Sequence, residues 1–177
     1  GLVEEGCLSV RFVYGKVKND DGLIDRPIAR SRTNPVLWSA TRGRRGEDRE
    51  AVTEYRVLAR QGDFSFLELY PRTGRTHQIR VHLKAINYPI VADRLYGNTN
   101  AVRSAELSIS SPTLLNYKRD TKVRTEKKPG NTEPALGFKR LALHSKNISF
   151  VLPSGKRVVV EAPYPADFKK ALKSFKS

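Results

Sequence analysis

The chain has no methionine and only one cysteine, Cys7, among its 177 residues. A single cysteine excludes an internal disulfide, and such sparing use is compatible with a reducing cytoplasm, where we expect the protein to act. One cysteine and three histidines give no zinc spacing, so no metal is predicted. No apolar run approaches 18 residues and no leader is recognised, so neither a membrane span nor secretion is predicted. Because the sequence opens on Gly1 and lacks methionine, we expect a native start elsewhere.

The chain also has few acidic residues compared with basic ones. Lys and Arg number 33 against 18 Asp and Glu, which gives a formal net charge of +15. The arginines concentrate between Arg26 and Arg60, and the glycine-spaced residues 42–46 are predicted to be an exposed loop. A polyphosphate partner suits this charge, because each neutralised phosphate releases counterions. The alternative is a basic surface that serves only solubility.

The hydrophobic pattern is mostly that of strands. Strands are predicted over residues 10–17, 35–40, 53–59 and 64–71, and a hairpin over 141–152 and 156–161. Apolar residues at helical spacing predict a helix over residues 165–175. The predicted fold class is therefore α+β, a mixed, mostly antiparallel sheet with a few flanking helices. One domain is expected over residues 1–177, and the polar residues 98–137 are predicted to be a flexible insertion within it.

The densest chemistry lies after the predicted strand over residues 64–71. A Thr73-Gly74 turn precedes a helix that Thr76 is predicted to cap, with Ile79, Leu83 and Ile86 on its buried face. The polar side chains at its entrance are Arg75, His77, Gln78, Arg80 and His82. Donors at a helix entrance suit an anion. The alternative is a solvated, basic helix start.

The sequence of this segment resembles a signature of the RluA-type RNA pseudouridine synthases. Residues 73–82 read Thr-Gly-Arg-Thr-His-Gln-Ile-Arg-Val-His, and Pro89-Ile90, Asp93 and Tyr96-Gly97 follow. Further segments resemble family motifs in the same order, at residues 22–30, 51–58, 140–145 and 161–165. The resemblance spans roughly residues 9–172, nearly the whole chain.

The resemblance implies isomerisation of uridine to pseudouridine in ribosomal or transfer RNA, with no metal and no organic cofactor. The target base would be flipped into a pocket, which Leu143 would line unless it is a plain core leucine. Arg80 would be catalytic, as the cation that keeps a nucleophilic aspartate ionised. The residues predicted to bind RNA, or to position the motif that does, are Arg30, Arg44, Arg45, Arg75, His77, Gln78 and His82.

The chain departs from the family pattern in two places. The segment that carries the nucleophile, of the form Arg-Leu-Asp-x-x-Thr-Ser-Gly, does not occur. Ser9 stands where the active-site tyrosine belongs and Arg11 where a small residue belongs, while Tyr14 is predicted on the opposite strand face. We expect the later half of a catalytic domain, inactive alone, whose aspartate comes from an N-terminal segment or a partner chain. The alternative is a non-catalytic, basic RNA-binding module on the same scaffold.

Overall fold

A computed structural model describes residues 3–41, 44–97 and 135–175. A six-stranded antiparallel sheet runs in the order β2-β6-β7-β1-β8-β9, and a three-stranded sheet in the order β4-β3-β5. The strands of the larger sheet are β1 (Val3–Tyr14), β2 (Asp21–Asp25), β6 (Val52–Gln61), β7 (Phe64–Pro71), β8 (Leu143–Val151) and β9 (Arg157–Glu161). The strands of the smaller sheet are β3 (Ile28–Ser31), β4 (Trp38–Ser39) and β5 (Arg44–Arg49). Two helices are described, α1 (Gln78–Ala85) and α2 (Ala166–Ser174), with a 3-10 turn at Ala135–Gly137.

The two helices cover opposite faces of the six-stranded sheet. Phe12 on β1 pairs with Phe66 on β7, and the Phe12 ring lies 5.3 Å from that of Phe168 on α2. Thr53 on β6 pairs with Pro71 on β7 and hydrogen-bonds His82 of α1. Because side chains alternate along a strand, Phe66 and Pro71 point to opposite faces. The face toward α1 therefore carries the odd-numbered residues of β1 and β7.

The small sheet packs against α1 through a second core. Its buried apolar residues are Ile28, Ala40, Ala51, Val81 and Tyr96. Tyr96 is almost fully buried, and its hydroxyl accepts a hydrogen bond of 3.1 Å from the backbone amide of Trp38 on β4. This cluster attaches the small sheet to the helix that carries the signature segment.

Arg11 is a buried charge in the middle of β1. Its Nη1 donates to the carbonyls of Val10, at 2.6 Å, and His144, at 3.1 Å. Nε has no hydrogen-bond partner, and no ion pair to Arg11 occurs within the described part of the chain. Burial lowers the pKa of this guanidinium to about 9. Arg11 shares its strand face with Ser9, which is also buried, and pairs with Leu143 on β8.

Most predicted elements are confirmed, with corrections to several boundaries. The strand over residues 64–71, the hairpin of β8 and β9 and the C-terminal helix all form. Only Trp38 and Ser39 of residues 35–40 are strand. The loop prediction for residues 42–46 was wrong at Arg44, Arg45 and Gly46, which belong to β5, where Arg44 and Arg45 pair with β3, although Arg45 and Gly46 are exposed as predicted.

The predicted insertion lies outside the described residues up to position 134, and residues 135–137 form the 3-10 turn. Among the residues that the structure describes, no helix is long and apolar enough to cross a membrane.

Candidate active site

The turn between β7 and α1 is fixed from within by Gln78. Its side chain is 4 % exposed, and its Oε1 accepts hydrogen bonds from the Thr73 hydroxyl at 2.8 Å and the Arg75 amide at 3.0 Å. Its Nε2 donates to the Val52 carbonyl and to the Thr53 hydroxyl, both at 2.9 Å. Both ends of the amide are thus satisfied, as a buried amide requires. Gln78 ties the turn to β6.

His82 extends this buried network on the next turn of the helix. Its Nε2 lies 2.9 Å from the Arg26 carbonyl, which can only accept, so Nε2 carries the proton. Nδ1 then accepts from the Thr53 hydroxyl at 2.9 Å. Burial lowers the pKa of His82, which keeps the ring neutral. Gln78 and His82 are both buried, and their side chains bond within the chain, which favours the predicted alternative that they position the motif over direct contact with RNA.

The N-cap of α1 is His77 and not, as predicted, Thr76. His77 is the N-cap residue with φ of 55°, a left-handed conformation that few non-glycine residues adopt, and it makes no side-chain capping bond. Its Nδ1 lies 3.0 Å from the Tyr96 hydroxyl instead. Burial, followed by the nearby Arg80 charge, lowers the pKa of His77. The strained backbone therefore turns a neutral imidazole toward Tyr96.

Arg80 is held by a buried carboxylate. Its Nε and Nη2 donate to Oδ2 and Oδ1 of Asp93 at 2.8 and 2.7 Å, and the Asp93 side chain is 0 % exposed. Asp93 Oδ1 also accepts from the amides of Leu95 and Tyr96, both at 2.9 Å. The Tyr96 ring lies 4.8 Å from the guanidinium carbon. These contacts fix the direction of Arg80.

The charges of this pair reinforce each other. Burial alone would raise the pKa of Asp93, but hydrogen bonds from Arg80 and from the Tyr96 and Leu95 amides outweigh it, and the net shift is downward. The hydrogen bond to Asp93 raises the pKa of Arg80. The acid that pairs with Arg80 among the described residues is therefore Asp93.

Arg80 also faces open space. It lines a cavity of about 210 Å³ together with Thr73, Gly74, Arg75 and His77. Both contacts with Asp93 use Nε and Nη2, and among the described residues no hydrogen bond from Nη1 is found. Arg75 is anchored beside it through a 3.0 Å bond from its Nε to the Glu50 carbonyl. One edge of the guanidinium is therefore available to an anion in this cavity.

The remaining predicted residues lie in two other places. Arg30 and Arg45 face each other across β3 and β5, and the Arg30 guanidinium lies 4.4 Å above the Trp38 ring. Arg44 is paired with Asp48 at 2.6 Å. Leu143 is half-buried and packs against the main core.

Trp38 and Tyr96 connect the small sheet with the Arg80 site, a role that the sequence did not predict. The sequence marks Tyr96 as a motif residue and gives no sign that Trp38 lies near it. The one available signal was the position of Tyr96 next to Gly97, three residues after Asp93. The contact between Tyr96 and the Trp38 amide joins distant segments and leaves no local pattern.

Comparison with known proteins finds similarity to RNA pseudouridine synthases. A family profile described as RNA pseudouridylate synthase matches residues 7–85. An uncharacterized RNA pseudouridine synthase of Bacillus subtilis, YlyB, is 32 % identical over 93 % of this chain and 42 % of its own length. The ribosomal large subunit pseudouridine synthase D of Borreliella burgdorferi is 40 % identical over 51 % of this chain and 27 % of its own length. The chain thus spans less than half the length of these relatives.

Solved structures show the same fold. The human RNA pseudouridylate synthase domain containing 1 matches 90 % of this chain and 55 % of its own, with a TM-score of 0.65 and 21 % identity. The human RNA pseudouridylate synthase domain containing 4 matches 97 % of this chain and 62 % of its own, with a TM-score of 0.61 and 22 % identity. The sequence matches make this chain similar to RNA pseudouridine synthases over nearly its whole length, and the solved structures share its fold.

Proposed function

We propose that this chain is the Arg80-bearing part of an RNA pseudouridine synthase that isomerises uridine in ribosomal or transfer RNA in the cytoplasm. The observation that carries the proposal is the state of Arg80. Two of its nitrogens are fixed by buried Asp93, and the residue lines a cavity beside Arg75. A planar guanidinium held in this way can donate hydrogen bonds to a second carboxylate without changing its own position.

The reaction detaches uracil from the ribose at N1 and rejoins it through C5. The family resemblance assigns the attack to an aspartate, which must stay ionised in a closed pocket. A cation within about 4–6 Å favours the ionised form, and Arg80 is placed to supply it. The Tyr96 ring packs against the Arg80 guanidinium, and the Tyr96 hydroxyl lies within hydrogen-bond distance of His77. Neither His77 nor Tyr96 needs to change its protonation state for this role.

Asp93 is not suited to be that nucleophile. Its Oδ1 accepts three hydrogen bonds and its Oδ2 one, and the side chain is fully buried. A carboxylate so completely engaged cannot reach a base without breaking the turn that it holds. We propose that the nucleophile comes from an N-terminal segment or a partner chain outside residues 1–177.

A second candidate, a basic RNA-binding module without chemistry, is favoured by one observation. Arg11 and Ser9 lie on the β1 face toward α1, with the buried guanidinium directly opposite Leu143. In the family pattern these positions hold a small residue and the active-site tyrosine. A buried cation among the residues that would hold uracil leaves less room for the base.

Pseudouridine formation distinguishes the two candidates. The complete gene product should be incubated with ribosomal and transfer RNA transcripts, and pseudouridine measured by nucleoside mass spectrometry. For an enzyme, we expect Arg80→Ala to lower turnover on the order of 10²-fold or more. Arg72→Ala is the matched control, because Arg72 makes a similar two-bond contact with Glu54 but is exposed.

The outcome separates the candidates. Turnover that needs Arg80 but not Arg72 supports the enzyme. RNA binding without any pseudouridine in the complete protein supports the module, and equal turnover in both variants would remove Arg80 from the site.

A further inference from the structure

A groove runs beside the C-terminal half of α1, on the side that faces the small sheet. Its volume is about 460 Å³, which lies within the range of about 300–1,000 Å³ that is usual for small-ligand sites. One wall comes from β3, β4 and the segment between them, and the other from α1 and the residues that follow it. This groove is separate from the smaller cavity that Arg80 lines.

The lining of the groove combines three kinds of group. Its hydroxyl and cationic side chains are Ser31, Thr33, Ser39, Thr41, Arg32 and Lys84. Apolar surface comes from Leu37, Val81 and Ala85, and none of the described residues that line the groove is acidic. The groove therefore suits a ligand with a negative charge, several hydrogen-bonding groups and an apolar face. A nucleotide has all three, in its phosphate, its ribose hydroxyls and its base.

The hydroxyl groups are already ordered. Ser31 and Thr33 hydroxyls lie 3.2 Å apart, and those of Ser39 and Thr41 lie 3.0 Å apart. The Thr41 amide donates to the Ser39 hydroxyl at 3.2 Å, which fixes that pair to the backbone. Each hydroxyl offers one donor and two acceptors, so each pair keeps acceptor capacity for a ligand.

The groove continues from the Arg80 site along one line of cations. Lys84 lies one helical turn after Arg80, a spacing that brings their Cβ atoms to about 5–6 Å. Both cations lie over the Tyr96 ring, Arg80 at 4.8 Å and Lys84 at 5.7 Å. Lys84 lines the groove as well. A single strand that has its target base near Arg80 can therefore pass Lys84 and enter the groove.

We propose that this groove binds a nucleotide of single-stranded RNA next to the target uridine. Its phosphate is held by Arg32 and Lys84, and its sugar and base by the hydroxyl groups and the apolar surface. The inference rests on the proposed function and extends it, because it assigns the flanking nucleotide to a defined part of the chain.

The test uses the only tryptophan of the chain. Trp38 lines the groove, so its emission responds to an occupant there. Titration of the purified chain with hexauridylate at low salt should give a saturable change in Trp38 emission. The double variant Arg32→Gln/Lys84→Gln should weaken binding roughly tenfold or more, because it loses two charge-assisted contacts.

The matched control is Lys156→Gln/Lys169→Gln. It removes the same number of positive charges from exposed positions that do not line the groove, before β9 and on α2. We expect this control to weaken binding by no more than about threefold, because distant exposed charges are screened. Thermal unfolding of both double variants checks that they fold like the parent chain.

The possible failures are distinguishable. RNA binding itself is followed by the anisotropy of labelled hexauridylate. If hexauridylate binds without changing Trp38 emission, and if binding weakens equally in both double variants, the assignment of RNA to the groove is overturned but the proposed function is not. An absence of RNA binding would overturn both. If uridine monophosphate or inorganic phosphate binds as tightly as hexauridylate, the occupant is a small free anion and the assignment to an RNA strand fails.

Discussion

Arg80 and Asp93 form two parallel hydrogen bonds of 2.8 and 2.7 Å across thirteen residues of sequence, and the carboxylate is closed off from solvent. The same aspartate accepts hydrogen bonds from the backbone amides of Leu95 and Tyr96. One side chain thus fixes both the guanidinium and the turn after it. Its removal affects the shape of the site and its charge together.

The burial of this pair should set its contribution to stability. Asp93→Ala leaves the Arg80 guanidinium without its partner in a mostly buried place, and we expect a loss of about 3 kcal/mol in the free energy of unfolding. Glu54→Ala breaks the exposed pair with Arg72, which has similar geometry, and should cost less than about 1 kcal/mol. Urea unfolding of both variants measures the difference. Equal losses would show that burial does not decide the value of the pair.

Stability should fall in acid in two stages. The pKa of His82 is lowered in the folded state, so the unfolded chain binds a proton first and stability declines as pH drops below the ordinary histidine value of about 6.5. The pKa of Asp93 is also lowered, so its contribution is present above about pH 3.9 and is lost as pH falls through its folded value.

The variant His82→Gln separates the first stage from the second. Glutamine can still donate to the Arg26 carbonyl but does not titrate, so unfolding measured between about pH 7.5 and about pH 5 should depend less on pH than in the parent chain. An unchanged slope in this variant would assign the first stage to another group, such as His77.

Arg11 should be a cost to the fold. Its guanidinium is buried without a carboxylate partner among the described residues, and burial already lowers its pKa to about 9. A buried cation without an acidic partner carries a desolvation cost that an apolar side chain of similar length avoids. We expect Arg11→Met to raise the melting temperature at neutral pH. A lower melting temperature would mean that the bonds to the Val10 and His144 carbonyls outweigh the cost of burial.

Gly97 should tolerate no side chain. A Cβ atom there would collide with the Asp93 carbonyl oxygen, which already accepts the Gly97 amide at 2.8 Å. Gly97→Ala should therefore destabilise the chain by about 2 kcal/mol and loosen the contact of Asp93 with Arg80. Gly74→Ala, in the same signature segment, meets no atom within 4 Å and should change stability by less than about 0.5 kcal/mol. Calorimetry on the two alanine variants compares them, and similar losses would rule out the collision as the cause.

Much of the fold could be predicted because its cues are local. The β8–β9 hairpin is marked by Pro153-Ser154-Gly155, and α2 by apolar residues at helical spacing. The pairing of Arg80 with Asp93 is not among these local cues, because the sequence marks Asp93 as a motif residue without showing which side chain it contacts.

The parts that sequence reasoning missed depend on contacts between distant segments. The N-cap of α1 is His77 and not Thr76, because Gln78, the first residue of the helix, is held in place by hydrogen bonds to Val52 and Thr53 of β6. Arg44 and Arg45 become strand only because β3 offers them a partner. Periodicity within one segment carries no information about either arrangement.

The position of β1 between β7 and β8 has a consequence for how the chain folds during synthesis. Leu69, the partner of Ser9, emerges 60 residues after it, and Val151, the partner of Val3, emerges 148 residues after it. At a synthesis rate of about 5–20 residues per second, one edge of β1 waits several seconds or longer for its second neighbour. Pairing over such separations is slow, and an open strand edge invites wrong partners. Correct assembly on the ribosome therefore depends on how well β1 is protected until β8 has been made.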